Sequence, residues 1–180
     1  MTSTQTIWAF TFALTALAAL LDLRTRRIPN WLTVPAFFGG IALHTWISGW
    51  RGTIHSLEGA GLALALLLPL VLLRALGAGD WKLMGAVGAL VGPLMFLFVL
   101  LASVLVSGVM AIILMVHAKR AKATMKNLAV LVRGFLSFGL RRHPEISLDN
   151  PSLLKLPFGV AAALGTVICY CCYLTWGRVA

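Results

Sequence analysis

The chain has 180 residues, of which 60% are hydrophobic and 11% charged, with a mean hydropathy of +0.94. A soluble domain of this size carries about 25% charged residues and could not hide so much apolar surface, while a disordered chain would not contain it. Lys and Arg number 15 against 5 Asp and Glu, a net charge of +10, which in so apolar a chain calls for membrane topology before nucleic acid. The three cysteines, Cys169, Cys171 and Cys172, share one apolar stretch, and no second CxxC pair exists to support a zinc knuckle or a disulfide framework.

These numbers predict an all-α, polytopic integral membrane protein forming a single membrane-embedded domain over residues 1–180. A spanning helix needs about 20 mostly apolar residues. The first span runs from Ile7 to Leu21 and ends at Asp22; Met1–Thr6 holds no Lys or Arg, so the segment reads as a retained span rather than a signal peptide. A second runs from Trp31 to about Ile47, after Arg24, Arg26 and Arg27, with Pro29 and Asn30 suited to a helix start. A third lies between Glu58 and Arg74. From Leu83 to Val116 there is no charge, too long for one crossing, and Gly92-Pro93 divides it into a short fourth helix and a longer fifth. The fourth, Leu83–Val91, spans only if it begins near Asp80. The last span runs from about Pro157 to Trp176, with Tyr170, Tyr173 and Trp176 toward its far end.

Six spans with Met1 outside put 13 basic residues on the inner side and leave only Arg51 and Arg178 outside. That bias orients both termini outward and accounts for the charge without nucleic acid. The inner loop Ala118–Leu156 is the one sizeable polar piece, and its apolar middle, Asn127–Leu140, reads as an interfacial helix rather than a seventh span.

Five acidic residues can be taken singly. Glu145 and Asp149 lie in the polar loop, and Glu58 flanks the third span. Asp22 and Asp80 each sit at the inner edge of a hydrophobic helix, where ionisable groups are costly and functional by default. The structural alternative pairs Asp22 with Arg24 or Arg26, and Asp80 with Lys82. Gly77-Ala78-Gly79-Asp80 favours chemistry, because two glycines before a carboxylate allow an extended peptide to approach closely. Two carboxylates in a low-dielectric pocket share one proton over part of the pH range. The ionised member then takes a proton from attacking water while the protonated one polarises the scissile carbonyl.

Other catalytic plans lack parts. His44, His55, His117 and His143 are scattered without metal spacing and read as structural; Ser103 and Ser107 read as helix-packing residues, and Gly85, Gly88 and Gly92 as points of close helix contact. No metal or cofactor is expected. An alternative from another class is a small proton- or cation-coupled transporter using the same two aspartates, although no internal repeat is present and both acids lie at one face rather than at the midplane.

The segments Asp22-Leu23-Arg24-Thr25-Arg26-Arg27-Ile28-Pro29-Asn30 and Gly77-Ala78-Gly79-Asp80-Trp81-Lys82-Leu83, followed by Leu156-Pro157-Phe158-Gly159, together resemble the prepilin peptidases, the GxGD membrane aspartic proteases. The first two also resemble, less closely, proteases of the signal-peptide-peptidase kind, whose first aspartate follows a tyrosine where Leu21 stands here. The prepilin-peptidase resemblance implies that Asp22 and Asp80 are the catalytic pair at the cytoplasmic face of a bacterial inner membrane. Gly77, Gly79, Arg24, Arg27, Pro29, Asn30, Lys82, Pro157, Phe158 and Gly159 would shape the site or bind substrate. It implies removal of a short basic leader from type IV prepilins or pseudopilins, and it is most similar to the small TadV/CpaA branch serving Flp-type, tight-adherence pili. Larger members that also N-methylate carry a cysteine-rich insertion between the first two helices; here that connection is only Asp22–Asn30, so peptidase activity alone is expected.

Overall fold

The computed structural model describes residues 3–117 and 157–176. The expectation of an interfacial helix at Asn127–Leu140 falls outside them. The described residues form four helices and no strand: α1 (Ser3–Thr25), α2 (Asn30–Leu72), α3 (Ala78–His117) and α4 (Phe158–Trp176). All four are long and apolar enough to cross a membrane.

Helix ends fall where the backbone dictates. The α1 helix stops at Arg26, whose φ of 53° is left-handed and whose N–H still reaches the Asp22 carbonyl at 2.9 Å. Pro29 then denies Ile28 the helical region and, at φ −77° and ψ 150°, caps α2. The far end of α2 closes in the same manner, with Arg74 at φ 56° and the Ala75 N–H donating to the Leu70 carbonyl at 2.8 Å.

Four continuous helices stand where six spans are expected, and glycine accounts for the difference. Gly49 (φ 58°, ψ −142°) interrupts α2 and Gly92 (φ 77°, ψ 175°) interrupts α3. At Gly49 the chain reverses. The Thr45 and Thr53 hydroxyls lie 2.7 Å apart and the His44 and His55 rings 5.4 Å apart, whereas eight residues of straight helix span about 12 Å. At Gly92 the chain reverses again. In a straight helix Ser103 would stand about 35 Å from Asp80, yet Ser103 packs on Gly165, only about 9 Å up α4 from Gly159. Six helical rods result: α1, the two arms of α2 (residues 30–48 and 50–72), the two arms of α3 (78–91 and 93–117), and α4. The expected third span begins earlier than Gly59, since the second α2 arm is helical from residue 50. The expected fourth begins at residue 78 rather than 83, which lengthens it to about 21 Å, still short of the roughly 30 Å of a full crossing.

The Gly92 reversal strands two carbonyls. Pro93 has no N–H to give Ala89, and the break removes the partner of Leu90. Ser56 Oγ donates to the Ala89 carbonyl at 2.7 Å, and His44 Nε2 lies 2.7 Å from the Leu90 carbonyl, so this nitrogen carries the hydrogen. His44 is thus structural, as expected. The same interface is dense: Gly59 and Gly88 meet backbone to backbone, and a Cβ on Gly40 would lie 3.0 Å from the Ala89 carbonyl carbon. Small residues let apolar helices approach where lipid gives no hydrophobic drive.

The two halves of the bundle differ in partnership. The α2 helix packs chiefly on α3, whereas α1 packs chiefly on α4. Trp8 of α1 meets Tyr170 of α4 with ring centroids 5.2 Å apart, and Phe12 meets the same ring edge-on. Leu83, Met84, Val87, Phe96 and Val99 fill the centre and are fully buried. Residues 45–54 project past the Gly92 reversal and carry Trp46, 90% exposed, and Trp50, the amphipathic rings expected at an interface.

Candidate active site

At the end of the bundle opposite Gly49 and Gly92, three chain segments converge: the end of α1, the start of α3 and the start of α4. Asp22, in the last turns of α1, is only 6% exposed. Its Oδ2 accepts the Gly159 N–H at 2.8 Å. That amide is one of the unpaired donors of the first turn of α4, whose positive dipole end also favours an anion. The contact needs glycine: a Cβ at 159 would stand 3.0 Å from both the Ala18 carbonyl oxygen and the Asp22 Cβ. Pro157 is buried just before α4, its carbonyl accepting the Val160 N–H at 3.1 Å, and Phe158 is half-buried beside it.

Asp80 lies in the first turn of α3 and is half-buried. The Gly77 N–H donates to its carboxylate, the reach-back of a capping box from the third helical position to the cap. A Cβ on Gly77 would come within 2.9 Å of Asp80 Oδ2, and one on Gly79 within 3.1 Å of the Ile28 carbonyl oxygen. The second glycine therefore lets the α1–α2 turn lie against the start of α3. Asp22 and Asp80 are within electrostatic reach of each other. Low dielectric makes that coupling larger than it would be in water.

The basic and polar expectations separate into two groups. Lys82 Nζ donates to Asn30 Oδ1 at 3.0 Å, tying α2 to α3 rather than simply neutralising the nearby acid. Arg24, Arg26 and Arg27 are exposed at the same end, and Pro29 is half-buried under the turn. Thr25 Oγ1 lies within bonding distance of the Leu21 and Arg27 carbonyls, which pins the turn. Every expected site residue thus falls at one end of the bundle. Sequence reasoning missed Ile28, which is buried against Gly79, and Thr33, whose hydroxyl is buried. An apolar residue between Arg27 and Pro29 was the available signal for the first.

The arrangement sets two carboxylates within electrostatic reach at one end of the bundle, one fixed by a backbone amide and one carried on a glycine turn. A model of the type IV leader peptidase family matches residues 9–112. That is more than half of the chain, and the chain belongs to this family. The matched range contains both aspartates and stops short of α4. No curated protein and no solved structure matches the chain.

Proposed function

We propose that this family member is a membrane aspartic endopeptidase that cuts the basic leader from Flp-type prepilins at the cytoplasmic face of the inner membrane, with Asp22 and Asp80 as the catalytic pair. What supports this reading is that two carboxylates on helices remote in sequence lie within electrostatic reach of each other at one end of an apolar bundle. Water held between them attacks the scissile carbonyl carbon. The ionised aspartate takes its proton, and the protonated aspartate hydrogen-bonds the carbonyl oxygen. The tetrahedral intermediate then collapses, the C–N bond breaks, and the leaving amine nitrogen receives a proton from the aspartate that had taken one.

Orientation rests on charge. Arg24, Arg26, Arg27, Arg74 and Lys82 lie at the end that carries the aspartates, and Arg51 near the opposite reversal. Positive residues favour the cytoplasmic side, which supports a cytoplasmic site and six crossings with both termini outside. The short Asp22–Asn30 connection favours a peptidase without methyl transfer. The basic residues at this end serve orientation and lipid contact, since they would repel a basic leader, and the precursor's apolar helix supplies the affinity.

The test is cleavage of a Flp-type prepilin by the purified protein, with the cut located by mass spectrometry. Asp22→Asn and Asp80→Asn should each abolish cleavage while the protein remains inserted and folded. Processing by either variant at a near wild-type rate would refute the assignment.

A further inference from the structure

Thr33 Oγ1 is buried and makes no hydrogen bond, and among the described residues it is the one buried side-chain nitrogen or oxygen in that state. The residue itself is 1% exposed. Other buried hydroxyls are satisfied. Those of Thr11, Thr15, Ser103 and Thr166 donate to the carbonyl four residues earlier at 2.7–2.9 Å, and Ser56 donates to Ala89. For Thr33 the carbonyl four residues earlier belongs to Pro29, the cap, and it already receives the N–H of Leu32 at 3.2 Å and of Thr33 at 3.5 Å.

Its place in the bundle follows from its neighbours along α2. Thr33, Gly40 and His44 share one helix face, being seven and eleven residues apart. Gly40 and His44 pack on Ala89 and Leu90. One turn before Thr33, Asn30 is bonded to Lys82. Thr33 therefore faces α3 between those two contacts, level with the early turns of the helix that begins at Ala78. A buried, unpaired hydroxyl is costly, and this one lies on the α3-facing side of α2, within a few turns of the end that carries Asp80.

We propose that Thr33 is a substrate-positioning residue whose missing hydrogen-bond partner is a backbone amide or carbonyl of the precursor segment bound across Asp22 and Asp80. An extended peptide at membrane depth has unpaired N–H and C=O groups that water cannot reach. A hydroxyl can serve either kind, since it both donates and accepts. The inference rests on the protease reading above and deepens it by naming a group that holds the substrate.

The experiment uses the full chain in lipid nanodiscs and a synthetic precursor peptide with a short basic leader followed by an apolar segment. It compares Thr33→Val, Thr33→Ser and Asp80→Asn, measuring kcat, KM and the thermal midpoint. Thr33→Val keeps shape and removes only the unpaired oxygen, so its midpoint should hold or rise. Its kcat/KM should fall about three- to tenfold, the range one hydrogen bond supplies, and Thr33→Ser should restore most of that loss. Thr33→Val cleaving at the wild-type rate beside an inactive Asp80→Asn overturns this inference and leaves the protease reading standing. Rate and midpoint falling together, unrescued by serine, mark a packing residue and overturn it as well. An active Asp80→Asn overturns the protease reading itself, and the inference with it.

Discussion

Replacing Gly159 with alanine puts a methyl group where no flexible atom can give way. The added Cβ would lie 3.0 Å from the Ala18 carbonyl oxygen, 3.2 Å from the Ala18 carbonyl carbon and 3.0 Å from the Asp22 Cβ. Two of those three are backbone, so α4 must move away from α1. Overpacking of this kind costs about 1–3 kcal/mol. The same movement lengthens the 2.8 Å bond from the Gly159 N–H to Asp22, and a hydrogen bond to a charged group contributes about 1.5–3 kcal/mol. Misplacing a reacting group by about 1 Å can lower a rate about a hundredfold. The expectation for Gly159→Ala is thus a modest drop in thermal midpoint and a fall in kcat of about ten- to a hundredfold. Gly165→Ala is the comparison. It also packs α4 on a neighbour, but the obstacle there is Ser103, remote from the carboxylates, so midpoint should fall while the kcat of the folded fraction holds. Both are read by tryptophan-fluorescence melting and single-turnover cleavage. Equal rates in Gly159→Ala and wild type would refute the reasoning, as would Gly165→Ala losing kcat to the same extent.

The two reversals should respond differently to alanine. Gly49→Ala meets no atom within 4 Å and should cost only the conformational strain, about 1–3 kcal/mol; Gly92→Ala adds a collision with the His55 ring and should cost more, or prevent folding, as judged by yield and melting. His44→Ala and Ser56→Ala each strand a carbonyl and should lower stability by about 1–3 kcal/mol in denaturant titration, with cleavage by the folded fraction unchanged. Gly61→Ala and Gly108→Ala, open on every side, should leave the midpoint unchanged or raise it slightly by favouring helix.

Several of these features are legible in the residues before any coordinates. Helix content follows from hydropathy, and the break at Gly92-Pro93 from the chemistry of proline. The loop glycines announce Asp80, and the hydrophobic run ending in a lone acid announces Asp22. Gly49 is harder, because it carries no proline and sits in a stretch with Trp46, Trp50 and Arg51 that reads simply as the end of a span. Partnerships across the bundle are not readable in that way. Nothing local to Ser56 or His44 says that each will cap a carbonyl on another helix, since the need arises only when α3 breaks opposite them. Thr33 is hidden for the converse reason: threonines in apolar helices ordinarily bond their own backbone, and only the crowded cap at Pro29 makes this one an exception.

The amide that seizes Asp22 belongs to a helix beyond residue 112, where the family match stops. A polypeptide severed after His117 would keep both acids, the glycine turn and all of the matched sequence, yet lose the clasp on one acid and the surface against which α1 rests. Carrying the matched sequence is therefore not enough to hold Asp22 where it stands. Supplying the final helix as a separate peptide is the natural way to ask whether the severed protein can be made whole.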